Sequence, residues 1–155
     1  YSAAVTTILE ILEQRPDHEQ APNALEMAAT ALERMQRFDE AERYYRTLLE
    51  LAGLDRGLRR TALYRLAWIA EQQGDDRRAL GRYRAFVRRH RHDRDARELV
   101  VEALWRGAQI VQRTGSREAH ESALRAVVRA GRRAGTAGEE YAARAASLLD
   151  DLHAD

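Results

Sequence analysis

Apolar residues recur three and four positions apart along almost the whole chain. Leu25, Ala28, Ala29 and Leu32 form one such set; Leu63, Leu66, Ala67 and Ala70 form a second; Leu104, Gly107, Ala108 and Val111 form a third. That spacing gathers side chains on one face of an α-helix. Strand-length runs of Val, Ile and aromatic residues are missing. The pattern predicts helices near 2–15, 20–36, 38–52, 57–73, 76–90, 94–113, 116–132 and 137–152, about eight in all. Asp75, Asp93 and Ser116 stand where helices should start, because a short oxygen-bearing side chain accepts from a free backbone N–H of the first turn. Thr136 with Glu139 reads as a capping box. Gly74 and Gly115 read as stops.

The helices are related in pairs. Leu25 to Ala41, Leu63 to Ala79 and Leu104 to His120 are each 16 residues apart. Between pairs the distance varies: 21 from Ala4 to Leu25, 22 from Ala41 to Leu63 and 25 from Ala79 to Leu104. A fixed interval inside the pair and a loose one between pairs describes a packed helical hairpin repeated along the chain. The first three hairpin steps are 37, 38 and 41 residues. Small residues at Ala28, Ala29, Ala67, Gly107 and Ala108 allow close helix approach, and Tyr45 and Tyr83 fill the space between hairpins.

"LYRLAWIAEQQGDDRRALGRY", residues 63–83, and "RFDEAERYY", residues 37–45, resemble the tetratricopeptide repeat. The third hairpin matches more weakly, with His120 where a small residue belongs. The resemblance covers about residues 4–130 and implies an all-α solenoid of stacked antiparallel hairpins. On this reading residues 1–155 are one domain. Residues 1–16 are the back half of a cut repeat, 20–53 and 57–92 are repeats one and two, 94–132 is a weak repeat three, and 136–153 is a capping or linking helix. The resemblance further implies a protein or peptide partner in the inner groove. The groove positions it carries over are Asn23, Glu26, Thr30 and Glu33; Thr61, Tyr64, Trp68 and Glu71; and Glu102, Trp105, Gln109 and Gln112. Tyr64, Trp68 and Trp105 would make an exposed aromatic cluster, the composition of a binding hot spot. The alternative is that both tryptophans pack at inter-helix seams. Asn23 has no counterpart in the later repeats, so the asparagine clamp of chaperone-binding members is absent. The long steps resemble those of bacterial cell-envelope members, which makes a larger bacterial assembly the expected setting; envelope, periplasm and cytoplasm all stay open.

Composition fits this picture. Ala (28), Leu (18), Arg (26) and Glu (15) make up more than half of the 155 residues, and prolines number only two. There is no cysteine, which excludes disulfides, thiolate nucleophiles and Cys-ligated zinc. No apolar run approaches the roughly 20 residues of a membrane span. The chain starts at Tyr1 without a visible signal peptide and is read as a piece of something longer. The five histidines are scattered, and no phosphate loop or nucleophile elbow is present. Catalysis, a bound metal, a cofactor and a small-molecule substrate are therefore not expected.

Charge adds one question. Net charge is +1, yet residues 1–55 hold 5 Arg against 11 acids and residues 56–97 hold 13 against 5. "GDDRRALGRYRAFVRRH", residues 74–90, contains six arginines. On a helix over 76–90, Ala79, Leu80, Tyr83, Phe86 and Val87 share one face and the arginines lie outside it. Arg78, Arg82 and Arg89 make the candidate basic face, with Arg77, Arg84 and Arg88 further round. The like-charge pairs Arg78–Arg82 and Arg84–Arg88 each cost about 0.2–0.5 kcal/mol in an isolated helix. Solvent and salt, the acidic helix 38–52 with Glu40, Glu42 and Glu50, or an anionic partner such as an acidic protein surface or a sister copy could offset them. A self-assembling spacer is thus the alternative function, and an RNA- or lipid-headgroup-binding module ranks third. Nucleic acid is disfavoured, because no aromatics interleave with the arginines for base stacking.

Overall fold

Three side chains fix where helices begin. Asp55 Oδ1 accepts from the backbone N–H groups of Gly57 at 2.7 Å and Leu58 at 3.1 Å. Asp75 accepts from Arg78 N at 2.9 Å, and Ser116 Oγ from Ala119 N at 3.1 Å. Each satisfies donors that the first helical turn leaves free. In the computed structural model, which describes Thr6, Glu10 and residues 19–154, the chain forms two compact units divided after Gly74. The predicted helix 2–15 and the half repeat 1–16 lie outside the described residues apart from Thr6 and Glu10, which are helical.

The first unit contains α1 (Ala21–Arg34), α2 (Phe38–Glu50) and α3 (Arg56–Gln72). Helices α1 and α2 are an antiparallel hairpin closed by a tight turn, and α3 packs on both. Leu25, Ala29, Leu32, Tyr45, Leu48 and Ile69 form the centre of the core. Gln73 donates to Asp39 Oδ1 at 2.7 Å, clasping the end of α3 to the start of α2.

The second unit contains α4 (Asp76–His90), a 3-10 turn (Arg94–Ala96), α5 (Arg97–Thr114), α6 (Arg117–Gly131) and α7 (Thr136–Ala154). Here α4 packs on α5, α5 and α6 form the next hairpin, and α7 covers α6 and part of α5. Val101, Ala108, Leu124, Val127 and Ala145 make its core. Arg113 grips Asp76 with two hydrogen bonds of 2.9 and 2.6 Å, so the end of α5 is tied to the start of α4. That guanidinium holds the Asp76 carboxyl below its usual range.

The described residues are thus all-α and contain no strand, and within each unit consecutive helices pack on one another. Two local expectations need correction. The helix predicted over 94–113 starts at Arg97, because the longer connection folds first into the 3-10 turn, capped by Asp93 accepting from Asp95 N at 3.0 Å. Thr136 is not a cap: it is already helical, and Glu139 N donates to the carbonyl of Gly135. Gly135 has φ +80, a conformation glycine adopts without cost, so the backbone turns one residue before the threonine.

Candidate binding surface

On α1, Glu26, Thr30 and Glu33 fall four and three residues apart and so share a face. On α3 the equivalent row is Thr61, Arg65 and Trp68. Burial on α3 takes in Ala62, Tyr64, Leu66, Ala67, Ile69 and Ala70, which run round most of the helix. Thr61, Arg65, Trp68 and Gln72 lie in the arc that these buried residues leave, the first three half-buried and Gln72 exposed.

Arg65 is the centre of this surface. Its Nη1 lies 3.5 Å from Glu33 Oε2, and its guanidinium carbon is 5.8 Å from the centre of the Trp68 ring. Phe38 meets the same indole edge-on at 5.9 Å. The Glu33 side chain is 5% exposed and that of Arg65 is 38% exposed, so the carboxylate is sunk while its partner cation reaches solvent. Burial pushes the Glu33 carboxyl above its ordinary value; Arg65 and, more weakly, the Tyr45 hydroxyl pull it the other way. Glu33 Oε1 is buried without a hydrogen-bond partner among the described residues. Beside it, the Tyr45 hydroxyl and Thr30 Oγ1 are 3.2 Å apart, and Thr30 donates to Glu26 Oε1 at 3.3 Å. Burial also raises the Tyr45 hydroxyl, which stays protonated. The result is a guanidinium fixed from below by a carboxylate and from the side by an indole. It can donate to a carboxylate or to backbone carbonyls with little rotamer freedom left to lose.

The expected site residues divide between the units. In the first, Glu26, Thr61, Trp68 and Glu71 are half-buried, and Asn23 is exposed with Nδ2 donating to Gln20 Oε1 at 3.4 Å. Tyr64 corrects the sequence reading: at 5% exposure it belongs to the core and cannot present its ring to a partner. The wide buried arc of α3 takes it in, although it sits only one turn before Trp68. In the second unit Gln109 is exposed and Glu102 is paired with Arg106 at 3.1 Å. Trp105 stacks on Tyr141 of α7 with ring centres 5.9 Å apart and packs against the core. Its ring is therefore a seam between α5 and α7.

Arg78 and Arg82 are half-buried, and Arg78 Nε lies 3.3 Å from Asp75. Arg89 is exposed, together with Arg77, Arg84, Arg88 and Arg91. Sequence reasoning passed over Arg65 altogether. The signal was present, since a cation three residues before a tryptophan on one helix lies over its ring.

Among the described residues no group of His, Asp or Glu could hold a metal ion, and no helix is long and apolar enough to cross a membrane. Compared with known families, residues 20–92 match the model of the tetratricopeptide repeat. No curated protein matches the chain.

Proposed function

Since residues 20–92 belong to the tetratricopeptide repeat family, we propose that the protein is a scaffold that binds a peptide or protein partner on the α1/α3 face, within a larger assembly. Tetratricopeptide repeats are commonly protein–protein interaction modules and typically non-enzymatic. The observation that carries this reading is Arg65, set between Glu33 and Trp68 and half open to solvent. A partner carboxylate or main-chain carbonyl accepts from the guanidinium, and the exposed part of the indole covers a neighbouring apolar side chain. Arginine and tryptophan dominate the energy of such contacts because they combine large area with fixed geometry.

The test is to pan a random 12-residue peptide library against the full chain and measure the enriched peptides by fluorescence anisotropy. Arg65→Gln is made together with Glu33→Gln, so that no carboxylate is left buried without its cation. Binding should weaken at least about tenfold in the double variant and in Trp68→Leu. Circular dichroism should show the helices unchanged. Enriched peptides that bind both variants as they bind the parent would overturn the proposal.

A further inference from the structure

The second unit contains a cleft that the function proposed above does not use. It has a volume of about 490 Å³, with α4 and α6 as walls and α5 as floor. The half-buried Leu80 and Val87 on α4 and Leu104 on α5 make its surface apolar, while Val111 lines it as a buried residue. Its origin can be traced in the repeat register. Aligning His120 with Ala79 and Ala41 sets Ala119 against Arg78 and Glu40, and Ala123 against Arg82 and Tyr44. The third hairpin thus has methyl groups where the first two carry long side chains. Ala119, Ala123 and Ala126 line the cleft and leave it open.

One edge is strongly charged. Arg84, Arg88 and Arg91 line the α4 wall, all exposed, and none has an ion pair among the described residues. No acidic side chain lines the cleft. Spaced four and three residues apart, the arginines form a row roughly 10 Å long at 1.5 Å per residue.

We propose that this cleft binds an amphipathic α-helix of a protein partner, with its apolar stripe on Leu80, Val87 and Leu104 and a row of Asp or Glu along Arg84, Arg88 and Arg91. Three features choose this occupant. The cations are a row rather than a cluster, so they match carboxylates repeated along a helix and not one headgroup. Apart from the arginines, the lining offers few polar groups, so an extended peptide would leave its backbone unpaired, while a helix satisfies its own. The two walls are themselves helices, and a third laid between them follows ridges-into-grooves packing. This site is separate from the α1/α3 face and does not depend on it.

The experiment uses the full chain and three synthetic 18-residue helical peptides. All carry the same leucine stripe, flanked by Glu, Gln or Lys. Anisotropy should show the Glu peptide binding at least about tenfold more tightly than the Gln peptide, with affinity falling as salt rises. Arg84→Glu/Arg88→Glu should abolish that preference and favour the Lys peptide; both residues are exposed, so folding is spared. Ala123→Trp should block all three peptides. The double variant of Glu33 and Arg65 should bind the Glu peptide as the parent does, which separates failure here from failure of the α1/α3 proposal. Equal affinity for the Glu and Gln peptides, or a Glu preference kept after charge reversal, would overturn the inference. So would tighter capture by phosphatidylglycerol vesicles than by the Glu peptide, which assigns the cleft to lipid. Self-association that the Glu peptide disperses would overturn it as well, by assigning the cleft to a second copy.

Discussion

Adding one methyl group at Gly131 should unsettle the second unit, while the same change at Gly81 should strengthen it. Gly131 ends α6 and lies against the start of α7 at Gly138. A Cβ on Gly131 would fall 2.7 Å from the Ala142 Cβ and closer still to the Gly138 carbonyl oxygen. A Cβ on Gly138 would meet Ala134 Cβ at 2.6 Å and the Gly131 carbonyl oxygen at 2.8 Å. Carbon atoms rest at about 3.5–4.0 Å, so the two helices would have to part by roughly 1 Å. Backbone supplies much of the obstruction, and no side-chain rotation relieves it. Overpacking costs about 1–3 kcal/mol, and the better helix propensity of alanine returns at most about 1, less at a helix end. Gly131→Ala should therefore lose about 2 kcal/mol, a drop in Tm of about 4–8 °C for a chain of this size. Gly81 lies inside α4, exposed, and an added Cβ would meet nothing within 4 Å. Gly81→Ala should gain about 1 kcal/mol, or roughly 2–4 °C. Both positions belong to the second unit, so far-UV circular dichroism during heating compares them in one transition. The stacking of Trp105 on Tyr141 adds a local reading, because separating α6 from α7 should weaken the near-UV signal in Gly131→Ala alone. A Gly131→Ala protein that melts at or above the parent would refute the reasoning.

Two further changes test other parts of the fold. Glu33 has its carboxyl raised above 4.5 chiefly by burial, so the folded state binds its proton more tightly than the unfolded state. Its contribution is then most favourable below pH 4.5 and declines as pH rises through the raised value. Glu33→Gln should be more stable than the parent in urea at neutral pH and lose that advantage as pH falls below 4.5; the same difference at both pH values would contradict the assignment. Gln36 closes α1 with φ 58, while Arg37 N donates to Leu32 O at 2.9 Å in a helix-ending motif that favours glycine. Gln36→Gly should raise stability by about 1 kcal/mol in urea denaturation, and no change or a loss would show that the left-handed turn carries no strain.

The helices were legible because their signals are local. The α4 bounds agree with the expected 76–90, and those of the other helices among residues 19–154 fall within about three residues. The 16-residue register needed only identical spacing in three places. The surface proposed for binding was legible in part. Trp68 was picked out and is half-buried beside Arg65, packed against the core, but Tyr64 is buried and Arg65 was missed. Both errors have one source, the assumption that α3 has a single apolar stripe. Nothing in the sequence says that burial extends round most of its circumference. Likewise, the six arginines of residues 74–90 look alike in sequence, yet Arg78 is occupied by Asp75 while Arg84 and Arg88 edge an open cleft.

What the sequence determined by itself is the list of helices among the described residues, the all-α class and the family likeness, because each rests on residues within a turn or two of one another or on a repeated interval. Tertiary structure decided which side chains meet solvent. The Glu33–Arg65 pair spans two helices, and the cleft depends on small residues of α6 facing long ones of α4. Exposure is set by what neighbouring elements cover, and that is a property of packing rather than of any one stretch of chain.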